Sequence, residues 1–321
     1  MNEGLKIIFM GTPEFARGIL AQILESEHDV LAVVTAPDRP AGRGQKLRQS
    51  AVKIYSESKN IAVLQPEKLR EEAFTEALKQ YNADLFVVVA FRMLPEIVWS
   101  LPSKGTINLH ASLLPNYRGA APINWAIMNG EKSSGVTTFF INEKIDTGDI
   151  IKRRQVNITE NMNAGELHDL LMKDGAELVV ETLHYLKSDD FEKEKQIDIE
   201  IDTLKHAPKI FKPDCKIEWN LQAQSIHNKI RGLSPYPGAW CEIENKSKGS
   251  VVQFKLFSSL LTDIIPASGD SSLRATEYGI LFPCKDLFIS VKELQMEGKR
   301  RMNFKEFLAG NKIEDFVLIQ E

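Results

Sequence analysis

Cysteine is scarce and scattered in this chain of 321 residues, which has only Cys215, Cys241 and Cys284. No two of them form a CxxC pair, which argues against a zinc site, and an odd, dispersed count argues against a disulfide framework. Free thiols suit a reducing compartment, so a cytoplasmic protein is expected. Long hydrophobic runs are missing too. The longest, Leu85 to Phe91, falls well short of the roughly 20 residues that cross a bilayer. The N-terminus enters a strand-like run, Lys6-Ile7-Ile8-Phe9-Met10, with no basic leader or apolar segment before a cleavage site, so no signal peptide is expected. An excess of basic charge is also lacking. The net charge is −4. Residues 1–208 carry 24 Lys and Arg against 30 Asp and Glu, and residues 209–321 carry 16 against 14. This balance advertises no nucleic acid, yet it permits local contact with one.

What is present is an alternation of strand-like and helix-like segments. Apolar runs at 6–10, 30–35 and 84–90 have the continuous Ile/Val/Leu character of strands buried on both faces. Helical spacing is found over 15–24, 52–59, 67–81, 122–129 and 163–186, with further strands near 61–63, 106–110, 136–141 and 149–156. This order predicts an α/β fold: an open, mainly parallel, Rossmann-like sheet with helices on both faces. A charged stretch follows. Short strand-like segments near 239–244, 250–257, 273–275, 279–282 and 286–294, with a helix over 303–310, then predict a small β-barrel of OB type. The length suits two domains. Their expected bounds are 1–188 and 209–321, joined by a linker over 189–208.

The first strand ends in Gly11-Thr12-Pro13-Glu14-Phe15. A strand, a glycine turn and a helix start make the usual binding corner of an open α/β sheet. Two of the three glycines of a dinucleotide loop are absent, and proline stands at the second glycine position. A nicotinamide dehydrogenase is therefore disfavoured. Residues 35–49 hold Pro37, Pro40, Gly42 and Gly44 with Arg39, Arg43, Lys46 and Arg48. Such a stretch is expected to be neither helix nor strand. A basic loop at a crevice mouth suits phosphate or RNA backbone, although a solvated loop has the same composition.

Chemistry concentrates in Gly105-Thr106-Ile107-Asn108-Leu109-His110-Ala111-Ser112-Leu113-Leu114-Pro115. Asn108 and His110, two apart on a strand, face one side, at the strand end where open α/β sheets hold ligands. Asp146 follows in a turn, Ile145-Asp146-Thr147-Gly148-Asp149. An amide donor, an imidazole and a carboxylate suffice for an acid/base and oxyanion site. Taken singly, His110 is equally a satisfied core histidine and Asp146 an ordinary turn aspartate.

The run from Asn108 to Pro115, with Tyr117-Arg118-Gly119-Ala120-Ala121-Pro122, resembles the signature of the folate-dependent formyltransferases. Gly135-Val136-Thr137 leading to Asp146-Thr147-Gly148 is similar to their second motif. The segments 38–44 and 230–240 resemble the branch that formylates methionyl-tRNA. The resemblance implies Asn108, His110 and Asp146 as catalytic residues. It further implies folate contacts at Ser112, Leu113, Leu114 and Pro115, and tRNA contacts at Arg43, with Arg39 and Lys46 beside it. It implies 10-formyltetrahydrofolate as co-substrate, no bound cofactor, no metal, and initiator Met-tRNA as partner of a monomer. Glu143-Lys144-Ile145 departs from the Gly-Leu that more often precedes the aspartate. Relatives acting on an amino-sugar nucleotide or a purine precursor, and a formyl-folate hydrolase, share this centre. A non-catalytic RNA-binding protein is the alternative from another class.

Overall fold

The computed structural model describes residues 4–41, 46–188, 190–196 and 204–319. They form two compact units that interleave along the chain. One comprises Met1–Gly119, Ser134–Val156 and His168–His206, the other Ala120–Ser133, Asn157–Leu167 and Ala207–Glu321.

The first unit begins with β1 (Lys6–Gly11), α1 (Glu14–Leu24) and β2 (Asp29–Val34), followed by β3 (Arg39–Ala41), β4 (Lys46–Arg48), α2 (Ala51–Ser58), β5 (Ala62–Leu64) and α3 (Glu72–Gln80). Next come β6 (Leu85–Val89), α4 (Glu96–Trp99), β7 (Thr106–His110) and β8 (Arg118–Gly119); α5 (Pro122–Met128) belongs to the second unit, and the first resumes with β9 (Ser133–Phe140), β10 (Ile150–Asn157) and most of α6 (Ala164–Lys187). Seven strands make one sheet in the order β10-β9-β7-β6-β1-β2-β5. The pairs from β5 through β7 are parallel, and β9 joins β7 antiparallel. The expected sheet is therefore present, with its antiparallel strands at one edge.

Strand alternation gives the sheet two apolar faces. Ile8, Met10, Ala32, Val34, Phe86 and Val88 pack with Phe74 and Leu78 of α3 and Val98 of α4. On the opposite face, Gly175 of α6 lies so close to Leu109 that a Cβ would come within 2.8 Å of its side chain. Gly18 of α1 is equally tight against Met172 of α6. Each helix thus docks at a point where a side chain has been removed.

Residues 35–49 depart from the expectation of an irregular loop. β3 and β4 pair antiparallel, with Arg39 opposite Arg48 and Ala41 opposite Lys46. Pro40 is compatible with a two-stranded ribbon because its missing N–H falls on an edge. Lys53 anchors the ribbon's base with an ion pair to Asp38 at 2.6 Å, and Gln65 donates to Asp38 at 2.8 Å.

After a two-residue strand β11 (His206–Ala207) and α7 (Ala223–Gly232), the second unit holds β12 (Ala239–Asn245), β13 (Ser250–Leu261), β14 (Arg274–Thr276), β15 (Gly279–Pro283), β16 (Phe288–Met296), β17 (Met302–Asn303), α8 (Phe304–Gly310) and β18 (Phe316–Leu318). The sheet runs β14-β15-β16-β13-β12-β18. Ser272, just before β14, bridges Val317 of β18, so the two ends of that path meet. This is the small barrel expected. Its core includes Phe254, Phe307 and Phe316, whose rings meet edge-on or tilted. α8 opens with a capping box between Asn303 and Glu306. Among the described residues, no helix is long and apolar enough to cross a membrane.

Candidate active site

The C-terminal end of β7 sets the position of Asn108 and His110. Register places Asn108 between Val88 of β6 and Phe139 of β9, and His110 opposite Thr137. His110 is buried, with Nε2 2.8 Å from the carbonyl oxygen of Tyr117. A carbonyl only accepts, so Nε2 carries the hydrogen and the neutral ring keeps a lone pair on Nδ1. Tyr117 has a left-handed backbone, φ 61°, which costs a non-glycine residue about 1–3 kcal/mol. Tyr117 itself is buried, and its carbonyl is the one that His110 Nε2 meets.

Asp146 reaches the same place from the turn between β9 and β10. Its φ of 54° is one that aspartate tolerates. Asn142 Oδ1 braces the turn by accepting from Lys144 N and from Thr147 Oγ1, both at 3.0 Å. At Gly148 a Cβ would stand 1.6 Å from the Phe140 carbonyl oxygen, so only glycine closes the turn. The Asp146 carboxylate accepts the Gly119 N–H at 2.9 Å and lies 3.7 Å from His110 Nδ1. That separation is too long for a hydrogen bond. Asn108 is half-buried, and its amide makes no hydrogen bond among the described residues.

The loop after β7 is organised by Thr137. Its Oγ1 donates to the Ser112 carbonyl at 2.7 Å and accepts the Leu114 N–H at 3.2 Å. Ser112 is fully buried and donates to the Asn116 carbonyl at 2.7 Å. Leu114 packs with Phe139 and Ile150. Leu113 and Pro115 are half-buried, so they are the loop's accessible side chains. Along the same sheet edge, Gly11 approaches Val89 so closely that a Cβ would lie 3.0 Å from its carbonyl oxygen. α1 then starts at Glu14 without a side-chain cap.

Two family models match: "Formyl transferase" over residues 5–183 and "Formyl transferase, C-terminal domain" over residues 209–312. The chain belongs to the formyl transferase family. Within it, a methionyl-tRNA formyltransferase of Flavobacterium johnsoniae is 48% identical over 313 residues, 98% of each chain. One from Bacteroides thetaiotaomicron is 44% identical over 323 residues, again 98% of each. Among solved structures, HypX from Aquifex aeolicus in complex with tetrahydrofolic acid superposes with a TM-score of 0.64 at 19% identity. The match covers 99% of this chain and 51% of HypX, so the chain spans about half of that protein, and the likeness is one of fold.

In this formyl transferase the predicted residues fall into three groups. His110 and Asp146 are brought together, and Asn108 shares the strand face of His110. Leu113 and Pro115 are accessible, whereas Ser112 and Leu114 are turned inward. Arg39 is exposed on β3, Lys46 lies on β4, and Arg43 lies outside the described residues. The linker expected over 189–208 is described only at 190–196 and 204–208. Arg92, just past β6, donates to the carbonyls of Pro66 and Glu67. Its pKa is lowered mainly by burial, with the Arg39 charge acting in the same sense against Glu67.

Tyr117, Thr137 and Gln196 were not picked out as functional by sequence reasoning. The first two lie within the quoted motifs, but Gln196 gives no local signal. Elsewhere, Glu27, His28 and His184 are grouped closely enough to suggest a metal site. His28 Nδ1, however, accepts the Leu5 N–H, which leaves the hydrogen on Nε2 where a metal would bind. Glu27 is paired with Lys187 and His184. The three cysteines are buried and free, and burial pushes Cys284 up to about 12.

Proposed function

We propose that the chain transfers the formyl group of 10-formyltetrahydrofolate to the free amine of methionine on initiator Met-tRNA. The observation that carries the chemistry is the arrangement around His110. Its Nε2–H is used on Tyr117, its Nδ1 has no hydrogen bond among the described residues, and a carboxylate stands 3.7 Å from that nitrogen. The full-length relatives named methionyl-tRNA formyltransferase support the acceptor.

In the reaction the amine nitrogen bonds to the formyl carbon, and the carbon–N10 bond breaks. One proton leaves the amine and one reaches N10. The unpartnered Asn108 amide donates to the tetrahedral oxyanion. His110 Nδ1 accepts the amine proton, Asp146 stabilises the resulting imidazolium, and Nδ1 passes the proton to N10. Leu113, Pro115 and the backbone of the 112–115 loop receive the folate. Arg39, Arg43 and Lys46 meet the RNA backbone, and the 209–321 barrel adds further tRNA contacts. The protein acts as a cytoplasmic monomer with no metal.

The test supplies purified protein with 10-formyltetrahydrofolate and either charged initiator tRNA or a free amino-sugar nucleotide. Formylmethionyl-tRNA is expected, dependent on both substrates. Equal or faster transfer to the amino sugar overturns the acceptor. Release of formate without acceptor points to a hydrolase.

A further inference from the structure

Gln196 lies far in sequence from every motif, yet it touches the Asp146 turn directly. Its Nε2 donates to the Asp146 carbonyl at 3.1 Å and to the Gly148 carbonyl at 2.8 Å. Its Oε1 accepts from Arg118 Nε at 3.2 Å and from Arg118 Nη2 at 2.6 Å. One side-chain amide thus uses both its hydrogens on the turn and its oxygen on the arginine that precedes Gly119. Gly119 in turn donates to the Asp146 carboxylate. The result is a closed ring of contacts around Asp146: Gln196 on its backbone, Arg118 behind Gln196, and Gly119 on its side chain.

The segment that carries Gln196 is itself fixed. Glu194 and Ile150 exchange both backbone hydrogen bonds, at 2.7 and 2.8 Å. Arg153 grips the Glu194 carboxylate with two nitrogens, at 2.8 and 3.0 Å, and donates its Nε to the Leu114 carbonyl at 3.1 Å. Lys193 pairs with Asp149 at 2.8 Å. Residues 193–196 therefore form a strap tied to the two loops that flank His110: the loop after β7 through Arg153 and the Asp146 turn through Gln196.

We infer that Gln196 is a positioning residue for the transfer reaction, holding the Asp146 carboxylate beside His110 Nδ1. The inference rests on the proposed role of Asp146. Asp146 has a left-handed backbone, and its turn already lacks a Cβ at Gly148, so the two carbonyl acceptors are what Gln196 can hold in register. Misplacement of a reacting group by an ångström can cost about 10²-fold in rate.

The test is a double-mutant cycle on single-turnover transfer, using Gln196→Glu, Asp146→Asn and the pair. Glutamate keeps the acceptor for Arg118 and removes both donors. Gln196→Glu is expected to slow the chemical step by about 10–10²-fold. KM for folate and for tRNA should stay within about twofold, because a defect in the chemical step alone leaves uniform binding intact. The pair should be no slower than Asp146→Asn alone, since the strap acts only through that carboxylate. Gln196→Ala gives a second route if the glutamate variant folds poorly, and thermal melting of each variant reports folding. Wild-type rates in both Gln196 variants, or losses that multiply with that of Asp146→Asn, overturn the inference. Full activity of Asp146→Asn instead overturns the role of Asp146, which separates the two failures.

Discussion

At the scale of single residues, function follows from hydrogen-bond bookkeeping. Asn108 has a polar amide on the sheet edge and no partner among the described residues. Its replacement by alanine therefore removes nothing that the fold uses. Asn108→Ala should leave the melting temperature near wild type. It should lower single-turnover transfer by about 10²–10³, or roughly 2.7–4 kcal/mol, as when one oxyanion donor is lost. A rate near wild type would remove Asn108 from the mechanism. His28 supports a prediction of another kind. Burial lowers its pKa from 6.5 to about 4, so the folded protein prefers the neutral ring. As pH falls through that window the unfolded chain binds the proton first, and stability is lost between 6.5 and about 4. Glu27 is held down to about 2 by its hydrogen bonds to Lys187 and His184, so its contribution is lost lower, between 4.5 and about 2. In His28→Gln the amide oxygen can still accept the Leu5 N–H, but there is no group to titrate. Thermal unfolding as a function of pH should show the upper window flattened and the lower one unchanged. An unaltered upper slope would contradict the assignment.

At the scale of elements, the basic ribbon of β3 and β4 is the part most open to test. Arg39 is exposed there, and each phosphate contact that a cation makes releases a counterion on binding. Arg39→Ala and Lys46→Ala should weaken tRNA binding while leaving folate binding alone. Each should reduce the slope of log K against log salt by about 1. Equal weakening of folate and tRNA would detach the ribbon from RNA. The ribbon also marks where the sequence became hard to read. The parallel strands were legible because burial on both faces leaves continuous apolar runs, and the candidates Asn108 and His110 stood out because two polar side chains two apart at a strand end face one side, whereas Asp146 stood out as a carboxylate in a turn. β3 and β4 were hidden by Pro40 and by charge, since a two-stranded ribbon has no buried face to impose alternation. α7 was hidden differently. Ile226, Ile230 and Leu233 mark one buried side, but His227, Asn228 and Arg231 are buried as well. Both sides of that helix are covered, and the polar residues on the second side kept the segment from reading as a core helix, although Ala223, Ile226 and Ile230 recur at helical spacing. Tyr117 and Gln196 act through backbone carbonyls or on them, and no residue type announces that role.

At the scale of the whole molecule, the second unit depends on chain that is distant in sequence. Arg231 of α7 is 5% exposed. It donates from Nη1 to the Met162 carbonyl at 3.0 Å and from Nε to Asn228 Oδ1 at 3.0 Å, and its Nη2 lies 3.5 Å from the Ile127 carbonyl at the end of α5. Burial lowers its pKa, with Glu160 opposing the shift. His227 faces the Glu160 carbonyl at 3.4 Å. Gly232 lies so near Met128 that a Cβ would come within 2.5 Å of its side chain, and Asn124 donates to the Gly232 carbonyl at 2.7 Å. The barrel's helix is thus seated on segments 120–133 and 157–167, the second of which runs into the first turn of the long helix α6. A fragment of residues 209–321 would keep every barrel strand but lose those seats. It would uncover the side of α7 that carries His227, Asn228 and Arg231 and leave Arg231 with one of its three acceptors. The fragment would lose the packing of Met128 on the barrel core and the hydrogen bonds that 120–133 and 157–167 make with α7, each worth about 0.5–1.5 kcal/mol, against a total stability of about 5–15 kcal/mol for a domain. The fragment alone should therefore lack a sharp thermal transition and dispersed amide resonances. Adding back a peptide covering 120–133 should restore part of the order. A fragment that melts as cooperatively as the intact chain would show that the barrel stands without them, and that its core alone meets the entropy cost of folding.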